Sequence, residues 1–263
     1  MPCCSAYWTS MRSDIGPVVF LLAHPDDEFG VFPWIERALA DSRTVRCVWM
    51  TDGGWGGQDI GRRQRESEHV LTAMGVPLDA MHFLGGEHGF ADGDLWNRLD
   101  EVIEVLRARY CTLAPSHIVV PAWEGGHPDH DASHLAGLAL AAESGGEVLQ
   151  YTLYQGEKLP GPVFRVLSPL PANGPHQTIA VSAGQRVRYI TACFGFRSQW
   201  KSFVGLLPFY ALKLAFSRYP FVLQPVQAGR TAQRPHPGPL LYERRGGPSY
   251  EAFAERTAPY RER

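Results

Sequence analysis

Val18-Val19-Phe20-Leu21-Leu22, followed without a break by Ala23-His24-Pro25-Asp26-Asp27-Glu28, is the stretch on which the reading of this chain turns. Five consecutive apolar residues, rather than an alternation of apolar and polar ones, mark a strand buried on both faces. From about Phe29 to Asp41 the pattern becomes helical. The same succession then repeats along the chain. Val45 to Met50 reads as a second strand, ending in the turn Asp52-Gly53-Gly54, and a helix follows from about Arg62 to Met74 and stops at Gly75. Met81 to Leu84 precedes a helix from Leu95 to Arg109. His117 to Val120 precedes one from Ala132 to Glu143, and Val148 to Tyr154 forms a fifth strand. Alternation of this kind specifies an α/β fold, a mostly parallel sheet with helices on both faces.

Beyond Tyr154 the pattern is weaker. Residues 159–177 are rich in Pro and Gly and read as loop, and Thr178 to Val181 as a short strand. Ser182 is placed to cap a helix from Ala183 to Trp200. A second apolar segment, Phe203 to Phe216, is interrupted by Pro208 and Lys213 and does not read as a membrane span. The tail from Gln224 reads as irregular. The domain reading is a loose leader over 1–14, an α/β domain over 15–200, and a helical or irregular basic, apolar extension over 201–263, packed on the domain or partly mobile.

The chain has 263 residues, 44% apolar and 20% charged, which is ordinary for a globular protein and excludes a fibrous or wholly disordered one. Its cysteines, Cys3, Cys4, Cys47, Cys111 and Cys193, include no C-x-x-C pair, so neither a disulfide framework nor a zinc-finger spacing is present. Reduced thiols and a cytoplasmic location are expected. The N-terminus lacks a basic start followed by an apolar run, so no signal peptide is read, and Met11 competes with Met1 as the start. The charge is unevenly distributed. Residues 1–157 hold 23 acidic and 10 basic side chains, whereas 158–242 hold 10 basic and no acidic ones. Such asymmetry points to an anionic partner or surface.

The chemistry concentrates in two places: His24-Pro25-Asp26-Asp27-Glu28 after the first strand, and His127-Pro128-Asp129-His130 after the fourth. Imidazole and carboxylate at this density suit a site with three protein ligands and an open position for water. A His and an Asp three apart at a helix start reach one ion, and the adjacent Asp26 then stands beside that ion as a candidate general base. If the strand order is 3-2-1-4-5, strands one and four are neighbours at the switch point and both motifs share one crevice. In isolation the acidic run would merely complement the dipole of the following helix. His82, His88, His117 and His134 read as satisfied or exposed histidines, and Glu124 and His88 could line the mouth of the site.

At these residues the chain resembles the PIG-L (LmbE-like) N-acetylglucosaminyl deacetylases, whose A-H-P-D-D-E motif matches Ala23 to Glu28 and whose H-P-D-H motif matches His127 to His130. Thr51-Asp52-Gly53, Arg62 or Arg63 with Glu66, and Ser198-Gln199 are weaker matches. The resemblance implies a Rossmann-like fold and a metal-dependent N-deacetylase. It implies one Zn²⁺ per chain, with Fe²⁺ possible, ligated by His24, Asp27 and His130. It also implies Asp26 as general base, and His127, oriented by Asp129, stabilising the oxyanion or protonating the amine. Arg63, Glu66 and Asp52 are the expected substrate-binding residues. A metal-dependent amidase for another N-acyl group and a non-catalytic metal-containing binding module are the alternatives.

The expected partner is an N-acetylated amino sugar, possibly lipid-linked or phosphorylated. Arg197, Lys201, Lys213 and Arg218 are interleaved with Trp200, Phe203, Phe209, Tyr210 and Phe216, a composition suited to the headgroup boundary of an anionic membrane, so peripheral contact with the inner face of the membrane is expected. No recognised nucleic-acid module appears, and nucleic acid is not expected as a partner.

Overall fold

A computed structural model describes residues 16–261. The leader expected over 1–14, with Met11, Cys3 and Cys4, lies outside the described residues. The chain runs β1 (Val18–Leu22), α1 (Phe32–Ala40), β2 (Val45–Trp49), α2 (Ile60–Ala73), β3 (Met81–Phe83), α3 (Leu84–His88), α4 (Leu99–Tyr110), β4 (His117–Pro121), α5 (Pro128–Ser144) and β5 (Glu147–Tyr151). Then come β6 (Tyr154–Gln155), β7 (Arg165–Val166), β8 (Gln177–Thr178), α6 (Ala183–Cys193), α7 (Trp200–Phe216), β9 (Val222–Pro225), α8 (Leu241–Arg244) and α9 (Tyr250–Arg261).

The main sheet has the order β3-β2-β1-β4-β5-β9-β8. Its first five strands are parallel, so β1 and β4 are neighbours, with Val18 opposite His117 and Phe20 opposite Val119. β9 pairs antiparallel with β5 and extends the sheet from what the sequence presents as an irregular tail. Every residue of β1 is fully buried. Its side chains alternate between two cores: Val18, Phe20 and Leu22 point to the layer that α1, α6 and α7 cover, while Val19 and Leu21 point to the layer under α4, α5 and α9. That is the two-sided burial the apolar run requires. Gly137 lets α5 approach closely, since a Cβ there would come within 2.3 Å of Val120 Cγ1.

Several boundaries differ from the sequence reading, each for a local reason. α5 starts one turn before Ala132, because Pro128 occupies the first helical position and the His127 side chain accepts from the Asp129 N–H as its cap. Asp129 and Asp131 in that first turn complement the helix dipole. Ser182 caps α6 through a reciprocal capping box with Gln185, but the helix ends at Cys193 and a new one begins at Trp200. α7 continues through Pro208. α9 packs on α5, where Phe253 is fully buried. Among the described residues no helix is long and apolar enough to cross a membrane.

Glu124, in the turn after β4, is buried rather than at the mouth of a site. Its Oε1 accepts from the Leu153 and Tyr154 N–H groups at 2.8 and 3.0 Å, which ties the end of β4 to the segment beyond β5. Burial pushes its carboxyl up to about 8 from an ordinary 4.5, so the folded state holds this proton more tightly than the unfolded chain. The contribution of Glu124 to stability is therefore complete below about pH 4.5, declines as pH rises, and levels off above about pH 8. Glu124→Gln keeps the acceptor oxygen and removes that titration. Urea denaturation of both proteins between pH 5 and 8 is expected to show the variant gaining stability relative to the parent as pH rises. A constant difference would contradict this.

Candidate metal centre and active site

His24 and His130 are delivered to one point by the neighbouring strands β1 and β4. His24 lies just past the end of β1, and His130 on the first turn of α5. Between them sits Asp27. Its Oδ2 accepts from the His24 backbone N–H at 2.8 Å and lies 3.5 Å from His24 Nδ1, while Oδ1 lies 3.2 Å from His130 Nε2. Burial opposes ionisation of Asp27, but the facing His130 and His24 rings hold its carboxyl well below the usual range. His130 is fully buried, its Nε2 facing Asp27 and its Nδ1 without a hydrogen-bond partner among the described residues. A buried ring nitrogen left without a partner is costly.

Among the described residues, two groups have the spacing for a cation: His24, Asp27 and His130, and His24, Asp92, His127 and Asp129, each with ligand atoms within 4.8 Å of one another. The donors of the second group are already engaged. Asp129 accepts from the Gly93 and Leu95 N–H groups, and His127 Nδ1 accepts from the Asp129 N–H. In the first group the buried His130 meets Asp27, itself a member of the set, and the set is two imidazoles and one carboxylate, which fits Zn²⁺ or Fe²⁺. The other edge of the His24 ring faces carboxylates: Nε2 lies 3.2 Å from both Asp129 Oδ2 and Asp92 Oδ1. Burial disfavours the charged ring, but Asp92, Asp129 and Asp27 raise His24 well above its ordinary value. This arrangement of carboxylate, imidazole and candidate ion fixes ring orientation.

Asp26 has φ of 138°, a region that non-glycine residues rarely occupy. Three contacts hold it there. Glu28 Oε2 accepts its N–H at 2.7 Å, Arg63 Nη2 donates to its Oδ1 at 3.0 Å, and the same nitrogen donates to the Pro25 carbonyl at 2.7 Å. Burial pushes the Asp26 carboxyl up to about 7, against the pull of Arg63. His127 is the partly exposed member of the cluster, its ring edge-on to His24 at 4.6 Å between centroids. Burial, with His24 nearby, pushes its pKa down to about 4. Because His127 Nδ1 accepts a backbone N–H, the neutral ring carries its proton on Nε2.

His24, Asp26, Asp27 and His127 form the floor of a cleft of about 1020 Å³. Arg63 also lines it, whereas the expected site residues His130, Asp129, Asp52 and Glu66 do not, His130 and Asp129 being fully buried. Asp52 Oδ1 accepts from the Gly54 and Asp92 N–H groups and so shapes two loops. Glu66 accepts from the Ser198 N–H and hydroxyl, tying α2 to the turn before α7. Arg63 is 3% exposed, and its guanidinium donates to Gly53, Pro25 and Asp26. Asp129 lies closer to His24 than to His127, whose Nδ1 is 3.9 Å from its carboxylate, so backbone rather than carboxylate orients His127. Sequence reasoning missed Asp92, which meets both His24 and Arg63 from the irregular loop between α3 and α4. Burial opposes its charge, but His24 holds its carboxyl well below the ordinary range. It also missed the aromatic walls Trp55, Trp96 and Tyr154. A short Asp-Gly turn carries no signal beyond that of a turn, and partners separated by the whole fold leave no local pattern.

The family model described as PIG-L, GlcNAc-PI de-N-acetylase, matches residues 19–141, which contain both motifs, so this segment carries the PIG-L domain. No curated protein sequence matches the chain. Among solved structures, the chain is similar to a deacetylase of teicoplanin biosynthesis (TM-score 0.62, 18% identity, 80% of this chain and 98% of that one). It is similar to the A40926 pseudoaglycone deacetylase (0.59, 19%, 81% and 98%). A third likeness is to the N,N'-diacetylchitobiose deacetylase of Pyrococcus horikoshii (0.53, 19%, 81% and 85%). At these identities the likeness establishes the fold, and it agrees with the sheet order and two-sided helical layers described above.

If His24, Asp27 and His130 share an ion, Zn²⁺ added to metal-free protein raises the thermal midpoint. Binding at a hundredfold excess over Kd stabilises the folded state by about 2.7 kcal/mol. His130→Ala is expected to abolish that shift in calorimetry. An undiminished shift in the variant would contradict the ligand set.

Proposed function

We propose that this chain is a metal-dependent hydrolase that removes the N-acetyl group of an N-acetylated amino sugar of the N-acetylglucosamine type. The observation that carries the reading is Asp26. It is a carboxylate on a strained backbone, held at about 7 by burial, on a cleft floor that it shares with His24 and Asp27, beneath which His130 is buried. A general base serves best when its pKa lies near the working pH. The PIG-L description of residues 19–141 supports the choice of substrate class.

In this reading His24, Asp27 and His130 hold one Zn²⁺, or Fe²⁺, which when bound polarises the acetyl carbonyl and acidifies a water. Asp26 accepts the proton of the attacking water, with Arg63 and Glu28 fixing its carboxylate and backbone. His127, neutral with its proton on Nε2, donates a hydrogen bond to the oxygen that becomes negative in the tetrahedral state. Asp26 then returns its proton to the departing nitrogen, so that water and amide become acetate and amine. Asp129 and Asp92 act as positioning residues through His24 Nε2.

The cleft walls suit a sugar. Trp55 stands on Gly53-Gly54-Trp55-Gly56-Gly57 at the cleft lip and is exposed. Its ring packs on Gly93, where a Cβ would come within 2.8 Å of it, so one aromatic face rests on backbone. The Gly93 N–H in turn donates to Asp129, linking this wall to the site below. An aromatic lip above a few convergent polar groups is the usual make-up of a small-molecule site.

Acetate release from N-acetylglucosamine and its glycosides tests the reading. Asp26→Asn is expected to lower kcat by roughly 10²–10⁴-fold while leaving metal content unchanged. Full activity in that variant would overturn the assignment of the base. Trp55→Ala is expected to raise KM by roughly threefold to tenfold with little change in kcat, the value of one aromatic contact. An unchanged KM would remove Trp55 from the sugar site.

A further inference from the structure

We propose that the α6–α7 hairpin is a docking surface for an anionic lipid membrane and holds the cleft mouth against it. The inner side of the hairpin is fully engaged with the domain. Phe203, Leu206, Tyr210 and Leu214 of α7 are buried, Tyr210 donates to the Phe29 carbonyl, and Tyr189 of α6 donates to Glu36 of α1. The outer side is apolar as well, although it faces outward. Val187, Phe194, Trp200, Val204, Leu212 and Phe216 are all exposed, Phe216 at 83%. A helix of a globular protein is normally polar on the face opposite its core, and one apolar all round is covered by something. A groove of about 650 Å³, lined by Ile190, Phe194, Trp200, Val204 and Leu207, runs between the two helices.

Charge decides what covers it. Residues 158–242 contain no carboxylate, so the surface has no acidic side chain of its own to repel an anionic partner. Arg188 is paired with Glu36, and Arg186 donates to backbone carbonyls, which leaves Arg197, Lys201, Lys213 and Arg218 without an ion pair among the described residues. Two of these sit beside aromatics, Arg218 at 5.3 Å from the Tyr219 ring and Lys201 at 6.0 Å from the Trp200 ring. Cations beside aromatic and leucine side chains match the boundary between phosphate headgroups and acyl chains. A second copy of the chain matches poorly, because a twofold contact would set these cations against their own equivalents with no acid between them. The site lies alongside. Lys201, Ser202 and Leu206 line the catalytic cleft, and Phe203 borders both cleft and groove. A substrate displayed on a lipid surface would thus meet the cleft at its open side. The docking goes beyond the deacetylase reading and does not depend on it.

Cosedimentation of the full chain with vesicles of phosphatidylglycerol and phosphatidylcholine, against phosphatidylcholine alone, tests the proposal. Binding to the anionic vesicles at low salt, lost at about 1 M salt where screening is nearly complete, is expected. Arg197→Gln and Arg218→Gln should each weaken it by roughly fivefold. Trp200→Ser with Phe216→Ser should weaken it further and remove the blue shift of tryptophan emission on vesicle addition. The far-UV circular dichroism and the thermal midpoint, retained in every variant, certify folding without reference to metal or activity. Absence of binding to anionic vesicles, or equal binding by the variants, would overturn the proposal. So would a stable dimer in light scattering that Trp200→Ser with Phe216→Ser dissociates while vesicles are ignored.

Discussion

Two imidazoles and a carboxylate face one another in a pocket almost closed to solvent at the ends of β1 and β4, and this cluster is what the rest of the site depends on. Burying a ring nitrogen without a partner is costly, and His130 Nδ1 has no hydrogen-bond partner among the described residues. A cation held between His24, Asp27 and His130 would engage both rings and the carboxylate at once. Asp129 and Asp92 stabilise the far edge of the His24 ring, and Arg63 offsets the charge of Asp26. Asp129 lies on the first turn of α5, Asp92 on the loop between α3 and α4, and Arg63 on α2, so three separate elements at this end of the sheet are joined by a network centred on the cluster.

The distinction between Asp26 and Asp27 shows how local geometry divides labour between identical side chains. Asp27 faces His130 and His24, which keep it ionised despite burial. Asp26 points the other way because its backbone is twisted into a strained conformation, and there burial outweighs Arg63 and keeps it near neutrality. One carboxylate is thereby suited to hold a cation and the other to exchange a proton. The same sequence with Asp26 in ordinary backbone geometry would present two competing ligands.

Much of this was legible in the chain itself. The apolar run at Val18 to Leu22 and the later strand–helix alternation specified the parallel sheet, and the assumed order of the first five strands agrees with the structure. The meeting of His24, Asp27 and His130 could be read because their two motifs follow the neighbouring strands β1 and β4, at the end of the sheet where such folds place ligands. Asp92 could not, since it reaches His24 from a loop without periodicity. The expectation that Arg63 and Glu66 contact substrate followed from their resemblance to a family motif, whereas the fold has Arg63 bind Asp26 and Glu66 bind Ser198. β9 was hidden for another reason. A four-residue strand ending in Pro225 gives too short a pattern to distinguish it from loop, and only the exposed edge of β5 makes it a strand.

Anomalous diffraction at the zinc edge from crystals of the Zn²⁺-loaded protein tests the central claim most directly. The account requires one strong peak within bonding distance of His24, Asp27 and His130, with Asp26 beside the ion and not ligating it. A peak bonded instead to His127 and Asp129, or none at this end of the sheet, would contradict it.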